Sequence, residues 1–161
     1  MDSDLLCMDT FKVIVESAPL VSIDLVVKDS ERRILVGKRV NRPAMGYWFV
    51  PGGRIRKGET LVRAFSRITA SELGVALNIK DAHYLGLYEH FYDDSVFSEQ
   101  DPRVSTHYIV NGFEVMLPEG HCSLPFDQHN QYKWLMEEEF CNSDDVHLHS
   151  RWYLYKEKGF L

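Results

Sequence analysis

The chain has 161 residues, 45% of them apolar, a formal charge of -6 and three cysteines, enough length to bury a core without metal or disulfide staples. The acidic balance argues against broad, sequence-independent binding to nucleic acid, which relies on clustered lysine and arginine. Cys7, Cys122 and Cys141 form no paired framework and no CxxC, and the opening MDSDLLCMDTF has no basic segment followed by an apolar one, so the expectation is a soluble, cytoplasmic protein with reduced thiols and no membrane partner.

FKVIVESA places Phe11, Val15 and Ala18 on one side of a helix that Pro19 ends. Leu20 to Lys28 alternates as a strand, and a turn over Asp29 to Arg33 leads into a second strand, ILVGKR, so that the two read as a hairpin. Pro43 and Gly46 make VNRPAMGYW a loop, and YWFVPGG reads as an aromatic strand ending at paired glycines. From Glu59 to Leu73 the spacing becomes helical, with Leu61, Phe65 and Ile68 in one stripe and Gly74 as the stop. Two long strands follow, AHYLGLYEHFYDD and STHYIVNGFEVML, separated by the polar, irregular SVFSEQDPRV. YKWL reads as a short strand, MEEEF as a helical turn and VHLHSRWYLYKEKGF as a closing helix. Without repeats, low-complexity tracts or linker-like shifts, residues 1–161 read as one domain of the α/β (α+β) class with a mixed sheet.

The arginines gather in the first half, as Arg32, Arg33, Arg39, Arg42, Arg54, Arg63 and Arg67. Their forked donors suit phosphate oxygens, while Arg32, Arg33 and Arg63 read as a solvated face. Gly52 and Gly53 let the backbone approach a ligand or metal closely, and the helix after them presents positions 68, 71 and 72 on neighbouring parts of one surface. Only Glu72 of these three carries a carboxylate. Phe11, Tyr47 and Trp48 read either as core or as a stacking platform for a nucleobase. His147 and His149 form an HxH pair with no third ligand beside it in sequence, and read as helix-end residues.

Gly53, Glu59, Arg67, Glu72, Gly74 and Val75, preceded by YWFVPGG, resemble the Nudix box, the signature of hydrolases acting on nucleoside diphosphates linked to another group. Ile68 and Ser71 stand where most members have glutamates. Through PLVSIDLVV, GKRVNRPAMGYWFVPGG, HFYDD, THYIVNGF and DQHNQYKWL the chain resembles, over nearly its whole length, the GDP-mannose mannosyl hydrolase subfamily, whose box lacks the same carboxylates.

That resemblance implies a Nudix fold, a mixed β-sheet sandwiched between α-helices. It implies one Mg²⁺ per subunit, with Mn²⁺ an alternative, held by the Gly52 carbonyl, Glu72 and Gln128. It further implies His129 as the base, Arg39, Arg54 and Arg67 on the diphosphate, and the Tyr108 hydroxyl near a leaving-group oxygen. The expected reaction takes GDP-mannose or GDP-glucose to GDP and free sugar by water attack at C1 with inversion, in a homodimer. The resemblance also implies Asp24 positioning the sugar or stabilising the oxocarbenium-like transition state, with His90 aiding that charge balance. Three positions keep a second reading: Arg67 as the orienter of Glu59, Asp24 as a structural ion-pair partner of one of these arginines, and His90 as a packed strand histidine. No functional residue is assigned to the loop from Ser95 to Val104. Two other functions compete, a pyrophosphatase cutting at phosphorus and a catalytically inert nucleotide-sugar binding module; Ile68 and Ser71 speak against the first, the joint presence of Glu72, Gln128 and His129 against the second.

Overall fold

A computed structural model describes residues 6–120, 124 and 129–155, the backbone alone at 129 and 130. The elements are α1 (Met8–Ser17), β1 (Leu20–Lys28), β2 (Ile34–Arg39), β3 (Trp48–Phe49), β4 (Gly52–Arg54), α2 (Leu61–Leu73), β5 (His83–Tyr92), β6 (Thr106–Met116), β7 (His129–Leu135), α3 (Glu137–Asn142) and α4 (Leu148–Arg151), with 3-10 turns at Ile79–Asp81 and Trp152–Leu154. No helix among the described residues is long and apolar enough to cross a membrane.

β1 is the axis of the sheet. It runs parallel to β6 from Leu20 opposite Tyr108 to Lys28 opposite Met116, and its other edge takes β4 antiparallel at Ser22, Ile23 and Asp24. β5 lies antiparallel outside β6, and β2 carries β3 and β7 on its edges. One parallel pair among antiparallel ones makes the sheet mixed, as expected. The hairpin expected from β1 and β2 forms: Arg32 N donates to Asp29 O at 2.9 Å in its turn, and the strands pair antiparallel at Lys28 opposite Ile34. Beyond that pair β4 takes the β1 edge and β3 the β2 edge.

Side chains alternate across a strand, so β1 serves two cores. Ile23, Leu25 and Val27 pack with Phe65, Ile68 and Leu73 of α2. Val26 packs on the opposite face with Phe49, Val110, Phe140, Val146 and Tyr153. Asp24 lies on the Val26 side of the strand. The helix expected from Glu59 runs from Leu61 to Leu73, with Thr60 Oγ1 capping Arg63 N at 3.3 Å and Gly74 closing it in the left-handed region at φ 73°. Fully burying a side chain such as Phe65 is worth roughly 1.5–3 kcal/mol, so α2 is held by one greasy face. Ile68 is part of that face: a Cβ on Gly53 would come within 3.2 Å of its Cγ1.

The expected closing helix is corrected. Val146 bridges to Trp48 and His147 N donates to Trp48 O at 2.9 Å, which holds this stretch extended, so the helix shrinks to α4 and the turn after it. The irregular segment after β5 is as expected, yet Phe97 and Val104 are buried against Val15 and Leu20 and tie it to α1.

Because Ile68 is core and Ser71 is exposed, restoring a glutamate at each should have unequal cost. In EDTA, urea denaturation of Ile68→Glu is expected to show a loss of about 2 kcal/mol or more, from burying a carboxylate in an apolar cluster. Ser71→Glu should stay within about 0.5 kcal/mol of the parent. Equal, small effects would place Ile68 outside the core.

Candidate active site

Asp24 sits in the middle of β1 with 8% of its surface exposed. Its strand neighbours are glycines on both sides, Gly52 on β4 and Gly112 on β6. A Cβ on Gly52 would collide with Asp24 Oδ1 and lie 2.6 Å from Ile23 O. A Cβ on Gly112 would meet the Tyr153 ring at 3.0 Å, so this glycine leaves the space through which Tyr153 reaches the carboxyl. The Tyr153 hydroxyl donates to Asp24 Oδ2 at 2.6 Å and lies 3.3 Å from His90 Nε2. Burial pushes the Asp24 carboxyl up to about 7, against the opposing hydrogen bond from Tyr153 and the charge of Arg39. Of the two readings of Asp24, the structural ion pair with an arginine is corrected: its hydrogen-bond partner among the described residues is a tyrosine, and Arg39 acts on it through charge.

A cavity of about 320 Å³ opens over this carboxyl, and Asp24, Arg39, Gly52, Arg54, His90 and Tyr108 all line it. Arg39 Nε is buried without a hydrogen-bond partner among the described residues, and the Arg54 guanidinium lies 4.0 Å over the Phe11 ring. Both cations face a concave site, the arrangement an anionic ligand requires. Ser95 and Val96 line the cavity too, so the loop left without function forms part of its wall.

Behind the cavity the histidines gather. His90 is 1% exposed and stacks on His149 with ring centroids 4.3 Å apart, and His147 lies 4.8 Å from His149. The HxH pair does sit at a helix end, His147 capping α4 with Nδ1 accepting from His149 N at 3.2 Å, and the Trp48 pairing also folds it against a third histidine 57 positions upstream of His147. Burial, then the neighbouring histidines, holds His90 down at about 2, and burial chiefly holds His147 near 4 and His149 near 3. All three rings are neutral near pH 7, which suits hydrogen bonding and packing. Among the described residues no group of three His, Cys, Asp or Glu could hold a metal.

Arg67 is engaged by the box itself. Its Nε and Nη2 donate to Glu59 Oε1 and Oε2 at 2.6 and 2.8 Å, and Nη2 also donates to Arg54 O at 2.8 Å. This is the orienting arrangement, and the Arg67 hydrogen bonds hold the Glu59 carboxyl down at about 2. Glu72 is buried on α2, one turn beyond Ile68, which packs under Gly53. Gly52 lines the cavity; its carbonyl and the Glu72 carboxylate are oxygen donors, the ligand type a hard cation takes together with substrate oxygens and water. Gln128 lies outside the described residues. His129 is described by its backbone, which opens β7 opposite Arg39. Arg42, one of the clustered arginines left without a role, also belongs to this region, as do Tyr153 and Tyr92, which were missed; HFYDD held the signal for Tyr92, but nothing near Tyr153 in sequence points to Asp24.

The family model for the NUDIX domain matches residues 18–156. The low-salt glycan biosynthesis protein Agl8 of Haloferax volcanii is 44% identical over 125 residues, which cover 78% of this chain and 76% of that protein. An ADP-ribose pyrophosphatase of Methanocaldococcus jannaschii is 32% identical over 85 residues, 53% of this chain and 44% of that protein. Among solved structures, a MutT NUDIX hydrolase of Burkholderia pseudomallei superposes with a TM-score of 0.67 at 22% identity, covering 88% of this chain and 100% of that one. The MutT protein of Methanosarcina mazei does so at 0.66 and 17% identity, covering 85% of this chain and 91% of that one. At such identities the structures establish the fold; the family model and the Haloferax relative go further. The chain belongs to the Nudix hydrolase family.

Proposed function

We propose that the chain hydrolyses GDP-mannose, and also GDP-glucose, to GDP and free sugar by attack of water on sugar C1 with inversion. The observation that carries this reading is α2 itself: its single carboxylate is Glu72, Ile68 belongs to the core and Ser71 is a short exposed hydroxyl. Attack on phosphorus in this family leans on the missing carboxylates, whereas attack on carbon needs chiefly a stabilised leaving group. The Haloferax volcanii relative supports a nucleotide-sugar substrate, since glycan biosynthesis, which its name states, draws on activated sugars. The Methanocaldococcus jannaschii relative, named a pyrophosphatase, favours the second reading, cleavage at phosphorus to GMP and a sugar phosphate.

In the proposed reaction His129 takes a proton from water, the water oxygen bonds to C1, and the C1–O bond breaks with its electron pair going to the β-phosphate of GDP. Room for one water between base and anomeric carbon is what inversion requires. Arg39, Arg54 and the Tyr108 hydroxyl would receive the diphosphate as its charge grows. Mg²⁺ or Mn²⁺, held by the Gly52 carbonyl, Glu72 and Gln128, would supply further neutralisation of the departing diphosphate. Asp24 answers the positive charge that develops on the sugar ring. Its carboxyl, held in place by Tyr153, is costly to ionise in the resting protein, so its charge is matched to the transition state rather than to the ground state. His90, hydrogen-bonded behind Tyr153, would keep that assembly aligned.

With GDP-mannose and Mg²⁺, proton NMR of the fresh products should show GDP and mannose, the sugar appearing first as the inverted anomer; GMP with mannose 1-phosphate would refute the proposal. His129→Gln and Asp24→Asn should each lower kcat by about 10²-fold or more with GDP affinity changed less than about threefold.

Asp24→Asn has a second expected outcome. The unfolded carboxyl titrates near 3.8 and the folded one near 7, so the fold favours the neutral acid. Its stabilising contribution is complete below pH of about 4 and is lost as pH rises through about 7. In metal-free protein the melting temperature should therefore fall across that window, and Asp24→Asn should flatten the fall and melt higher than the parent at pH 8. Parallel melting curves for the two proteins would contradict the placement of Asp24.

A further inference from the structure

Two kinds of arginine line the cavity. Arg39 and Arg54 have no carboxylate within ion-pairing distance among the described residues, so their charges are free to meet a diphosphate. Arg42 differs. It lines the same cavity, but its Nη1 donates to Asp94 Oδ2 at 2.9 Å, which neutralises the guanidinium. Its Nε is nevertheless buried with no acceptor among the described residues. A donor left over in this way, on a side chain that lines the cavity, has capacity for a ligand or a water.

Arg42 is also held firmly. Asp94, which grips it, has its carbonyl fixed by the Thr106 hydroxyl at 2.7 Å. The pair thus joins the loop after β2 to the segment after β5, and Asn41, Pro43, Ser95 and Val96 from these two stretches line the cavity. A charge-neutral guanidinium and carboxylate side by side, with donor and acceptor capacity to spare, do not select an anion. They match a polyol, whose hydroxyls each donate and accept.

We propose that Arg42, held by Asp94, is a specificity-determining residue that hydrogen-bonds the hydroxyls of the hexose in a nucleotide sugar. The proposal rests on the nucleotide-sugar substrate proposed above, but not on which bond is broken.

The test is calorimetry in EDTA, with GDP and GDP-mannose titrated separately into the parent protein, Arg42→Met, Arg42→Lys and Asp94→Asn, each checked for a cooperative thermal melt. The parent should bind GDP-mannose more tightly than GDP. Arg42→Met should weaken GDP-mannose by about tenfold or more and GDP by less than about threefold. Arg42→Lys keeps the charge without the planar fork and should lose the same preference. Asp94→Asn frees the Arg42 charge and should weaken GDP-mannose relative to GDP while leaving GDP binding unchanged or tighter.

Equal weakening of both ligands in Arg42→Met and Arg42→Lys would make Arg42 a phosphate contact and overturn the proposal. An unchanged ratio would reduce the pair to a clasp between loops and overturn it as well, as would a parent that does not prefer GDP-mannose to GDP. Because no bond is broken in this experiment, products of cleavage at phosphorus would sink the carbon-attack reading and leave this proposal standing.

Discussion

A carboxyl group is held away from water in the central strand, and the surrounding structure is arranged about that constraint. Burying Asp24 on β1 is unfavourable unless the group is hydrogen-bonded or neutral, and both remedies are present: a donor from Tyr153 and a pKa lifted to about 7. Each remedy fixes something else. The Tyr153 ring fits only because position 112 on β6 has no side chain, and the Asp24 carboxyl lies against β4 only because position 52 has none. The strand order that sets β4 and β6 on either side of β1 is thus what turns one aspartate into a site.

The helix beside it follows a different logic. In α2 the apolar face does the folding, through Phe65, Ile68 and Leu73, and the polar groups are few: Glu72, the proposed metal ligand, and Arg67, which keeps Glu59 aligned. Ile68 links the two functions, because the close packing of its side chain beneath Gly53 sets how near β4 and its carbonyls lie to the helix. A glutamate there would exchange packing for charge. The protein has kept the packing, consistent with a reaction in which the leaving group, rather than the nucleophile, needs the cation.

Much of this was legible in the sequence where the signal is local. The period of α2, the alternation of β1, β5 and β6 and the paired glycines located the elements, and Asp24, Arg39, Gly52, Arg54, His90 and Tyr108 do share one cavity. What failed to show was long-range. How far β1 and β2 zip together beyond their turn depends on β4 and β3 taking their edges, which no turn residue reveals. The closing helix broke where the chain at Val146 and His147 pairs with Trp48, and helical periodicity does not record that competition. Tyr153 meets Asp24 across a separation of 129 residues, and the three histidines meet for the same reason. Arg67 was read both ways, and only the geometry of its fork on Glu59 separates orienting from binding.

The central claim is that the missing carboxylates of α2 mark attack at carbon. It is tested most directly by hydrolysing GDP-mannose in ¹⁸O-labelled water with Mg²⁺ and weighing the products at early times by mass spectrometry. Label at C1 of the free sugar with none in GDP is the expected result. Label on a phosphate oxygen, in GMP or in mannose 1-phosphate, would contradict the account.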